Sequence, residues 1–397
     1  MKILAISYLY PNSLYPHYGI FVHNRLKAVS KYYEVKVINP IPWFPGHGWL
    51  ARYKNYDKIP LKENIDGLEV YHPRFLVIPK FFKFLDAFTY KAAVMPLIGK
   101  LYKSFPFDLV DLHWTYPDLP TGYAIKKKYN KKMLVTLRGK ESFHIGEGLG
   151  RELLIKKHVL KADAVISLSQ ELQDMAVGFG VEEKRCHVIR NGVDTSAFYY
   201  IDKNESRRCL GLPPKETIIL SVGSLNYRKG FDRIIKKLPD LLNMDTEFKL
   251  YIIGSEGPDG DYRKSIYRLI DKLNLKDKVF LKGTVGNSEL VSWYNAADLF
   301  CLASRGEGSP NVLAEALACG CPAVATDVGA VNEILKEKFL GILVSNSTGG
   351  VGAGLRTAFE REWNRKKIFA YTRKFDWDWC AYQILPVYKI LIELAPK

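Results

Sequence analysis

Two glutamates, Glu307 and Glu315, stand eight residues apart across a predicted helix start in the stretch EGSPNVLAEALACGCPAV. Ser309 is a good N-cap, Pro310 is favoured at the first helical position, and Gly320 is a typical C-terminal stop. The unpaired N–H groups and the dipole at a helix start favour negative charge. The spacing therefore predicts that an anionic ligand binds here and that its neutral hydroxyl groups contact the two carboxylates.

Two cations and the helix start would complete this ligand site. Arg228 and Lys229, in VGSLNYRKGFD, follow an apolar strand and precede a helix. They would balance the charge of phosphate groups, while the backbone N–H groups of Asn311 and Val312 would contact phosphate or sugar oxygens. The residue types together indicate a ligand that carries phosphates, with a sugar at one end and a ribose at the other.

The elements that must position these residues form two strand–helix alternations. Strands are predicted at KILAISYLY, YEVKVINP, FDLVDLHW, KKMLVTLRG and ADAVISLS, and then at TIILSVGSL, FKLYIIGSE, DKVFLKGTV, ADLFCLAS and PAVATDVG. Apolar runs of this length between helices are typical of parallel sheets covered on both faces. A chain of 397 residues is also too long for one core. The predicted fold is α/β, with two Rossmann-like, doubly wound domains that face a cleft.

The boundary between the two alternations falls between residues 185 and 215. There the turn RNGVD and the prolines of GLPPKE interrupt the pattern. We therefore predict an N-terminal domain over residues 1–195 and a second domain over residues 196–375. A C-terminal helix over residues 376–397 is expected to pack back toward the N-terminal domain.

The charge of the chain is uneven. The formal net charge is +16, of which residues 1–195 hold +11. A phosphorylated substrate, an anionic lipid and nucleic acid each fit such a field. A non-catalytic, anion-binding protein, such as a nucleic-acid-binding one, is therefore an alternative, suggested by the pI near 9.3. Because the chain lacks known nucleic-acid-binding motifs, we predict no nucleic-acid partner.

The cysteines and the hydropathy indicate where the protein works. The six cysteines form no C-x-x-C pair, and nowhere do eighteen apolar residues run together. We predict a cytoplasmic protein that is neither secreted nor membrane-spanning. The basic, aromatic stretch at residues 78–105 could lie on an anionic membrane surface or form a core-facing helix, and we favour peripheral docking at the inner face.

The stretch EGSPNVLAEALACGCPAV resembles the E-x7-E signature of the family 4 retaining glycosyltransferases of the GT-B fold. YPHYGIFVHNRLKAVS is similar to that family's first loop and helix, FDLVDLHWTYPD to its histidine-bearing strand end, and VIRNGVD to its inter-domain approach. The resemblance spans nearly the whole chain, and it implies that the domain of residues 1–195 binds the acceptor and that of residues 196–375 the nucleotide-sugar. It implies an enzyme that moves a hexose-type sugar from a nucleotide-sugar to a glycan or lipid-linked acceptor, in cell-surface polysaccharide synthesis.

The resemblance also implies roles for residues. Glu307 would contact the donor sugar, Glu315 the ribose hydroxyls, and Arg228 with Lys229 the diphosphate. The residues expected to bind the nucleotide-sugar, which is a co-substrate, are Glu315, Gly308, Ser309, Asn311, Val312 and Gly19. No metal or other cofactor is expected, because the side-chain cations and the helix dipole stabilise the leaving diphosphate. No protein nucleophile is required in such retaining enzymes.

Arg138, in TLRGKESFH, is a departure from the family, which commonly has histidine there. A guanidinium is permanently charged, so Arg138 cannot be a general base. We expect it to bind a phosphate or carboxylate of the acceptor, or to assist the diphosphate site where Ser224 replaces a common arginine. An ion pair with Glu141 is the alternative. His113 and Lys140 are the next candidates for acceptor contacts.

A second catalytic function stays open from the sequence. A sugar-nucleotide epimerase or hydrolase of GT-B type would use the same donor site without an acceptor. Product analysis distinguishes it from a transferase.

Overall fold

The protein divides into two units. In the computed structural model, unit 1 comprises Met1–Asn191 with Trp377–Lys397, and unit 2 comprises Gly192–Asp376. The predicted boundary after residue 195 lies four residues beyond Asn191. The residues that the structure describes are 1–46, 53–78, 83–139, 149–242, 247–256 and 260–393.

Unit 1 is built on a largely parallel sheet. Its strands are β1 (Lys2–Ile6), β2 (Glu34–Ile38), β4 (Lys62–Ile65), β5 (Leu68–Tyr71), β7 (Leu109–Leu112), β8 (Lys132–Leu137), β9 (Ala164–Ser167) and β10 (Cys186–Val188). They lie in the order β10-β9-β8-β7-β1-β2-β5-β4, and β4 alone of these runs antiparallel to its neighbour. A separate parallel pair joins β3 (Ile41–Trp43) to β6 (Arg74–Leu76). The sequence pattern did not indicate the short strands between residues 41 and 76.

Helices cover both faces of this sheet. On one face, α1 (Ile20–Val29) and the C-terminal helix α14 (Trp377–Glu393) enclose a shared apolar core with β1. On the other face lie α2 (Asp86–Ser104), α3 (Asp118–Tyr129), α4 (Leu149–Val159) and α5 (Gln170–Gly178). α14 continues through Pro386, as its helical period predicts.

One side of α2 belongs to the core. The buried side chains recur with helical spacing and are Ala87, Tyr90, Val94, Ile98 and Leu101. The core-facing interpretation of residues 78–105 is therefore correct for this side, whereas Phe88 on α2 is 52% exposed. Within the described ranges, no helix combines the length and the apolar character needed to cross a bilayer.

Unit 2 contains a fully parallel sheet in the order β13-β12-β11-β14-β15-β16. Its strands are β11 (Thr217–Val222), β12 (Phe248–Ile253), β13 (Val279–Gly283), β14 (Leu299–Leu302), β15 (Ala323–Thr326) and β16 (Gly341–Val344). Ile218 and Leu220 enter one apolar core, while Ile219 between them enters the other. This alternation shows that helices cover both faces, as a doubly wound sheet requires.

The helices of unit 2 alternate with these strands. They are α6 (Lys203–Cys209), α7 (Phe231–Leu242), α8 (Arg263–Lys272), α9 (Asn287–Ala296), α10 (Asn311–Ala318), α11 (Val331–Ile334), α12 (Thr348–Phe359) and α13 (Arg365–Thr372). Both units thus have the Rossmann-like architecture that the sequence predicts.

The start of α10 differs from the prediction. Pro310 has a ψ of 100°, outside the helical region, so the helix begins only at Asn311. Ser309 is therefore not the N-cap, and no side chain caps this end. Gly320 has a φ of 72° and ends the helix in the left-handed region, as predicted.

Gly230, before α7, allows two loops of unit 2 to approach each other. Its φ is +69°, and a Cβ placed there would lie 1.9 Å from the carbonyl oxygen of Ala303. Only glycine fits, so the loop after β11 can lie against the end of β14.

We expect Gly230→Ala to destabilise unit 2 more than Gly211→Ala, a matched control. Gly211 has a similar φ of +65°, but a Cβ placed there would meet nothing within 4 Å. The backbone conformation alone costs about 1 kcal/mol, and the clash with Ala303 should add about 2 kcal/mol. Denaturant unfolding followed by circular dichroism measures both variants. Equal losses would show that the close approach is not a constraint.

Candidate functional site

The candidate site lies at the carboxyl ends of three neighbouring strands of unit 2. The loop after β11 carries Arg228 and Lys229, the loop after β14 carries Glu307, and the turn after β15 carries Gly329. Because adjacent parallel strands end at the same sheet edge, these loops meet there.

Glu307 is the centre of this site. Its side chain is 7% exposed, and Oε1 accepts hydrogen bonds from Lys229 Nζ at 2.6 Å and Ser304 Oγ at 2.7 Å. Arg228 donates to Oε2 at 3.2 Å. Burial opposes ionisation, but Lys229 and Arg228 outweigh it and hold the pKa of Glu307 below its ordinary value. The cluster is an ionised carboxylate with two cations, and it keeps one net positive charge.

The short 3₁₀ turn Tyr227–Lys229 presents the two cations. Asn226 caps it, because its side-chain oxygen accepts the N–H of Lys229 at 3.1 Å. Asn226 is itself held by a hydrogen bond of 2.9 Å from its amide nitrogen to Ser224 Oγ. Ser224, where the family commonly has arginine, therefore supports the turn that positions Lys229.

Arg305 is a site residue that the sequence analysis missed. It forms two hydrogen bonds of 2.9 Å with the carboxylate of Asp232 at the start of α7. Its guanidinium lies 3.7 Å from the ring centroid of Tyr227, and the backbone N–H of Arg305 donates to the carbonyl of Arg228 at 2.7 Å. Arg305 lies on the loop that carries Glu307 and thus holds the cation-bearing turn in place. The SRGEG stretch contains this arginine, but its partner is distant in sequence.

Glu315 points to a different environment on α10. Its Oε2 accepts a hydrogen bond of 2.9 Å from the hydroxyl of the buried Tyr294. Burial, with a contribution from the charge of Asp194, raises the pKa of Glu315 to about 7, and the hydrogen bond from Tyr294 opposes this shift. The carboxyl group therefore titrates near neutral pH, unlike Glu307.

The loop between Glu307 and α10 is fixed by backbone packing. Gly308 accepts the N–H of Ala330 at 2.9 Å. A Cβ on Gly329, whose φ is +55°, would lie 2.4 Å from the carbonyl oxygen of Glu307. This close approach positions Ser309 and the helix start. Asn311 and Val312 are the first two residues of α10, as the ligand-binding prediction requires.

Unit 1 contains a separate buried polar network at the carboxyl ends of β7 and β8. Arg138 donates to His113 Nδ1 at 2.8 Å and to its carbonyl at 3.1 Å, and a longer contact of 3.4 Å reaches Asn191. His113 Nε2 lies 3.0 Å from Asp111 Oδ2, which also accepts from the hydroxyl of Tyr388. A guanidinium can only donate, so Nδ1 is the acceptor and Nε2 carries the proton.

His113 is therefore neutral and fully buried. Burial lowers its pKa to about 4, although Asp111 opposes the shift. The structure brings His113 and Arg138 together at neighbouring strand ends, where the buried imidazole accepts a hydrogen bond from the guanidinium. Arg138 is 7% exposed. Lys140 and Glu141 lie outside the described residues.

Gly19 precedes α1 and has a φ of +70°. A Cβ there would lie 2.6 Å from the carbonyl carbon of Leu9, so the packing of the first loop already requires glycine.

The described ranges offer no cluster of metal ligands. Among them, no group of three or more His, Cys, Asp or Glu side chains has an arrangement that could hold a metal ion. Asp-x-Asp triplets occur at residues 259–261 and 376–378, and Asp378 of the second pairs with Lys31 at 2.5 Å.

The chain is similar to known glycosyltransferases in sequence. A putative teichuronic acid biosynthesis glycosyltransferase of Bacillus subtilis is 27% identical over 368 residues, covering 91% of this chain and 90% of the relative. The N-acetylgalactosamine-N,N'-diacetylbacillosaminyl-diphospho-undecaprenol 4-alpha-N-acetylgalactosaminyltransferase of Campylobacter jejuni is 28% identical over 295 residues, covering 70% and 75%.

Solved structures share the fold. Sucrose-phosphate synthase from Thermosynechococcus elongatus matches with a TM-score of 0.79 at 20% identity, over 99% of this chain and 100% of that chain. Anabaena Alr3699/HepE in complex with UDP-glucose matches with a TM-score of 0.72 at 20% identity, over 98% and 100%.

Two family descriptions match adjoining parts of the sequence. Residues 202–375 match Glycosyl transferases group 1, and residues 55–197 match Glycosyltransferase Family 4. With these matches and the site geometry, the chain belongs to the family 4 glycosyltransferases and has their GT-B fold.

Proposed function

We propose that the chain is a retaining glycosyltransferase that moves a hexose-type sugar from a nucleotide-sugar donor to a glycan or lipid-linked acceptor. The observation that carries this proposal is the pairing of Glu307 with Lys229 and Arg228 beside the start of α10. The two relatives above, one of teichuronic acid biosynthesis and one named for an undecaprenol-linked sugar, support a role in cell-surface polysaccharide synthesis.

In this proposal the cations of unit 2 bind the diphosphate of the donor. Negative charge grows on the diphosphate as the bond to the sugar C1 breaks, and Lys229 with Arg228 stabilises it. Glu307 is ionised, so it can accept a hydrogen bond from a hydroxyl of the donor sugar. Backbone groups from Gly308 to Val312, at the positive end of the α10 dipole, would contact phosphate or sugar oxygens of the donor.

We propose that neither a metal nor another cofactor takes part. Two side-chain cations and a helix dipole supply the positive charge that a divalent ion would bring to the leaving group. An oxygen of the departing phosphate would take the acceptor's proton. The new bond then forms on the face that the leaving group departs from, without a protein nucleophile.

Glu315 would hold the ribose of the nucleotide. A carboxylate can accept from both vicinal hydroxyls, whereas a protonated carboxyl group loses part of this capacity. Because the pKa of Glu315 is about 7, ribose binding would depend on pH in the physiological range.

Unit 1 would bind the acceptor. Arg138 is held at the carboxyl edge of the sheet by His113, and its planar guanidinium would bind an acceptor phosphate or carboxylate. We propose further that Gly19, which has no side chain, lets the first loop approach the donor phosphates. Lys140 and Glu141 would contact the acceptor.

We also propose peripheral docking of unit 1 on the anionic inner face of the cytoplasmic membrane. The side chains of Leu76, Ile78, Phe84, Leu85 and Phe88 are 38–52% exposed around the start of α2. Lys91 Nζ lies 5.9 Å from the ring centroid of Phe88, so a cation accompanies the apolar side chains. Apolar insertion beside cations is typical of surfaces that bind anionic lipid.

Product analysis tests the proposed function. A thermal-shift screen with UDP-, GDP- and ADP-sugars identifies the donor, because a ligand at 100 times its Kd adds about 2.7 kcal/mol of stability. The donor is then incubated with lipid-linked and polysaccharide acceptors, and NMR determines the anomeric configuration of the product. Retained configuration supports the proposal. Epimerised or hydrolysed donor without transfer, or no response to any nucleotide-sugar, contradicts it.

Glu307→Gln is expected to lower the transfer rate at least about 100-fold, because a contact to the reacting sugar is lost. Free nucleoside diphosphate should bind as tightly or more tightly, since Lys229 and Arg228 no longer face a carboxylate. Kinetics and calorimetric titration measure the two effects, with the exposed Glu360→Gln as control. Equal loss of transfer and of diphosphate binding would show that the roles are misassigned.

Nucleotide affinity should fall roughly tenfold between pH 8 and pH 6 as Glu315 becomes protonated. A 2′-deoxynucleotide, which lacks one hydroxyl, should show a smaller change. Tyr294→Phe removes a hydrogen bond that lowers the pKa of Glu315, so it should move the midpoint to higher pH. Fluorescence titration across this pH range measures all three. An unchanged affinity in Glu315→Gln at pH 8 would contradict the ribose assignment.

Vesicles that contain anionic lipid should sediment the protein, and roughly 0.5 M salt should reduce this binding by screening. Phe88→Ser should weaken binding, whereas Ile390→Ser, which alters a side chain 54% exposed on α14, should not. Indifference to both lipid charge and salt would contradict the docking proposal.

A further inference from the structure

A small pocket in unit 1 lies beside the carboxyl ends of β1 and β2. It is formed by the first loop, the segment after β2 and a turn near residue 56. The lining residues are Tyr8, Asn12, Tyr15, Tyr18, Asn39, Pro40, Ile41, Pro42, Tyr56 and Ile59. None of these ten described residues carries a charge at neutral pH. The pocket is distinct from the Arg138 and His113 network.

Asn39 leaves one polar atom of this pocket unsatisfied. Its side-chain nitrogen donates to the carbonyls of Ser7 at 2.9 Å and Tyr8 at 3.1 Å. Two carbonyl partners fix the orientation of the amide, because only the NH₂ group can face them. Oδ1 consequently faces away and, although buried, has no hydrogen-bond partner. A buried acceptor of this kind requires a donor from water or from a ligand.

The pocket also presents aromatic surface. Tyr15 and Tyr18 are 38% and 39% exposed. Asn12 Oδ1 accepts the N–H of Tyr15 at 3.0 Å, so the first loop is ordered by its own hydrogen bonds. Tyr15 meets Tyr56 edge to face, with 5.6 Å between ring centroids. Partly exposed, fixed tyrosines offer a flat apolar face and a hydroxyl group to a ligand.

The size of the pocket limits what enters it. Its volume is about 20 Å³, enough for one hydroxyl group or one water molecule. A larger ligand would place one hydroxyl beside Asn39 Oδ1 while its body lies on Tyr15 and Tyr18. A sugar ring has this combination of an apolar face and outward hydroxyl groups, whereas a phosphate would find no cation among the lining residues.

We propose that this pocket binds a neutral sugar ring of the acceptor, with one hydroxyl donating to Asn39 Oδ1 and the ring stacked on the tyrosines. The inference rests on the proposed function, in which unit 1 binds the acceptor. The inference specifies an acceptor whose terminal sugar is uncharged. Arg138 would bind any phosphate or carboxylate elsewhere on the acceptor.

Saturation-transfer NMR on the full chain tests this assignment with methyl glycosides of glucose, galactose, mannose and N-acetylglucosamine. Nucleoside diphosphate is present throughout to occupy unit 2. At least one glycoside should receive saturation, and Tyr15→Leu and Tyr18→Leu should each reduce the transfer roughly fivefold. Tyr32→Leu is the matched control, because Tyr32 is 43% exposed in the same unit but does not line the pocket.

Glucose 6-phosphate is the charged probe and should receive no more saturation than the neutral glycosides. Stronger binding of the phosphate, no transfer to any glycoside, or equal transfer in the tyrosine variants and wild type would overturn the proposal. After either of the last two results, a structural water would be the hydrogen-bond donor to Asn39 Oδ1. Calorimetric titration of nucleoside diphosphate into nucleotide-free portions of the same protein preparations distinguishes the two proposals, since intact nucleotide binding with no sugar binding contradicts the pocket alone.

Discussion

The pairing of the Glu307 carboxylate with Lys229 and Arg228 is the interaction on which the site of unit 2 depends. A carboxylate removed from water is unstable unless cations face it, and two adjacent cations repel each other unless an anion lies between them. The two cations therefore stabilise the buried carboxylate, and the carboxylate reduces the repulsion between the two cations. The remaining positive charge suits a ligand that combines phosphates with neutral hydroxyl groups, which is the chemistry of a nucleotide-sugar.

The surrounding structure maintains this pairing from several directions. Gly230 lets the loop after β11 touch Ala303, and Gly329 lets the next turn touch the backbone of Glu307. Arg305 ties the cation-bearing turn to Asp232 with a bidentate pair, a geometry that fixes orientation as well as distance. Such contacts hold the cations before a ligand arrives, so in the proposed reaction little reorganisation would accompany charge development on the leaving group.

Much of this arrangement could be predicted from the sequence, because alternating strands and helices place successive loops at one sheet edge. That rule predicts that Glu307 and Lys229 lie at one sheet edge, although they are 78 residues apart in sequence. Arg305 could not be predicted, since its partner Asp232 is 73 residues away and neither is distinguished locally. The N-cap at Ser309 was wrong because the ψ of Pro310 depends on how the loop packs. The difference in pKa between Glu307 and Glu315 likewise arises from tertiary structure. Burial raises the pKa of both carboxyl groups, but at Glu307 the charges of Lys229 and Arg228 outweigh it.

We propose that Lys229, held by Glu307, binds the donor's diphosphate without a metal. The decisive experiment is calorimetric titration of a nucleoside diphosphate and the matching monophosphate into wild type and Lys229→Met, with EDTA throughout. The diphosphate should bind wild type much more tightly than the monophosphate, and this difference in affinity should largely disappear in Lys229→Met. A difference that persists in the variant, or that appears only when Mg²⁺ or Mn²⁺ is added, would contradict this role of Lys229.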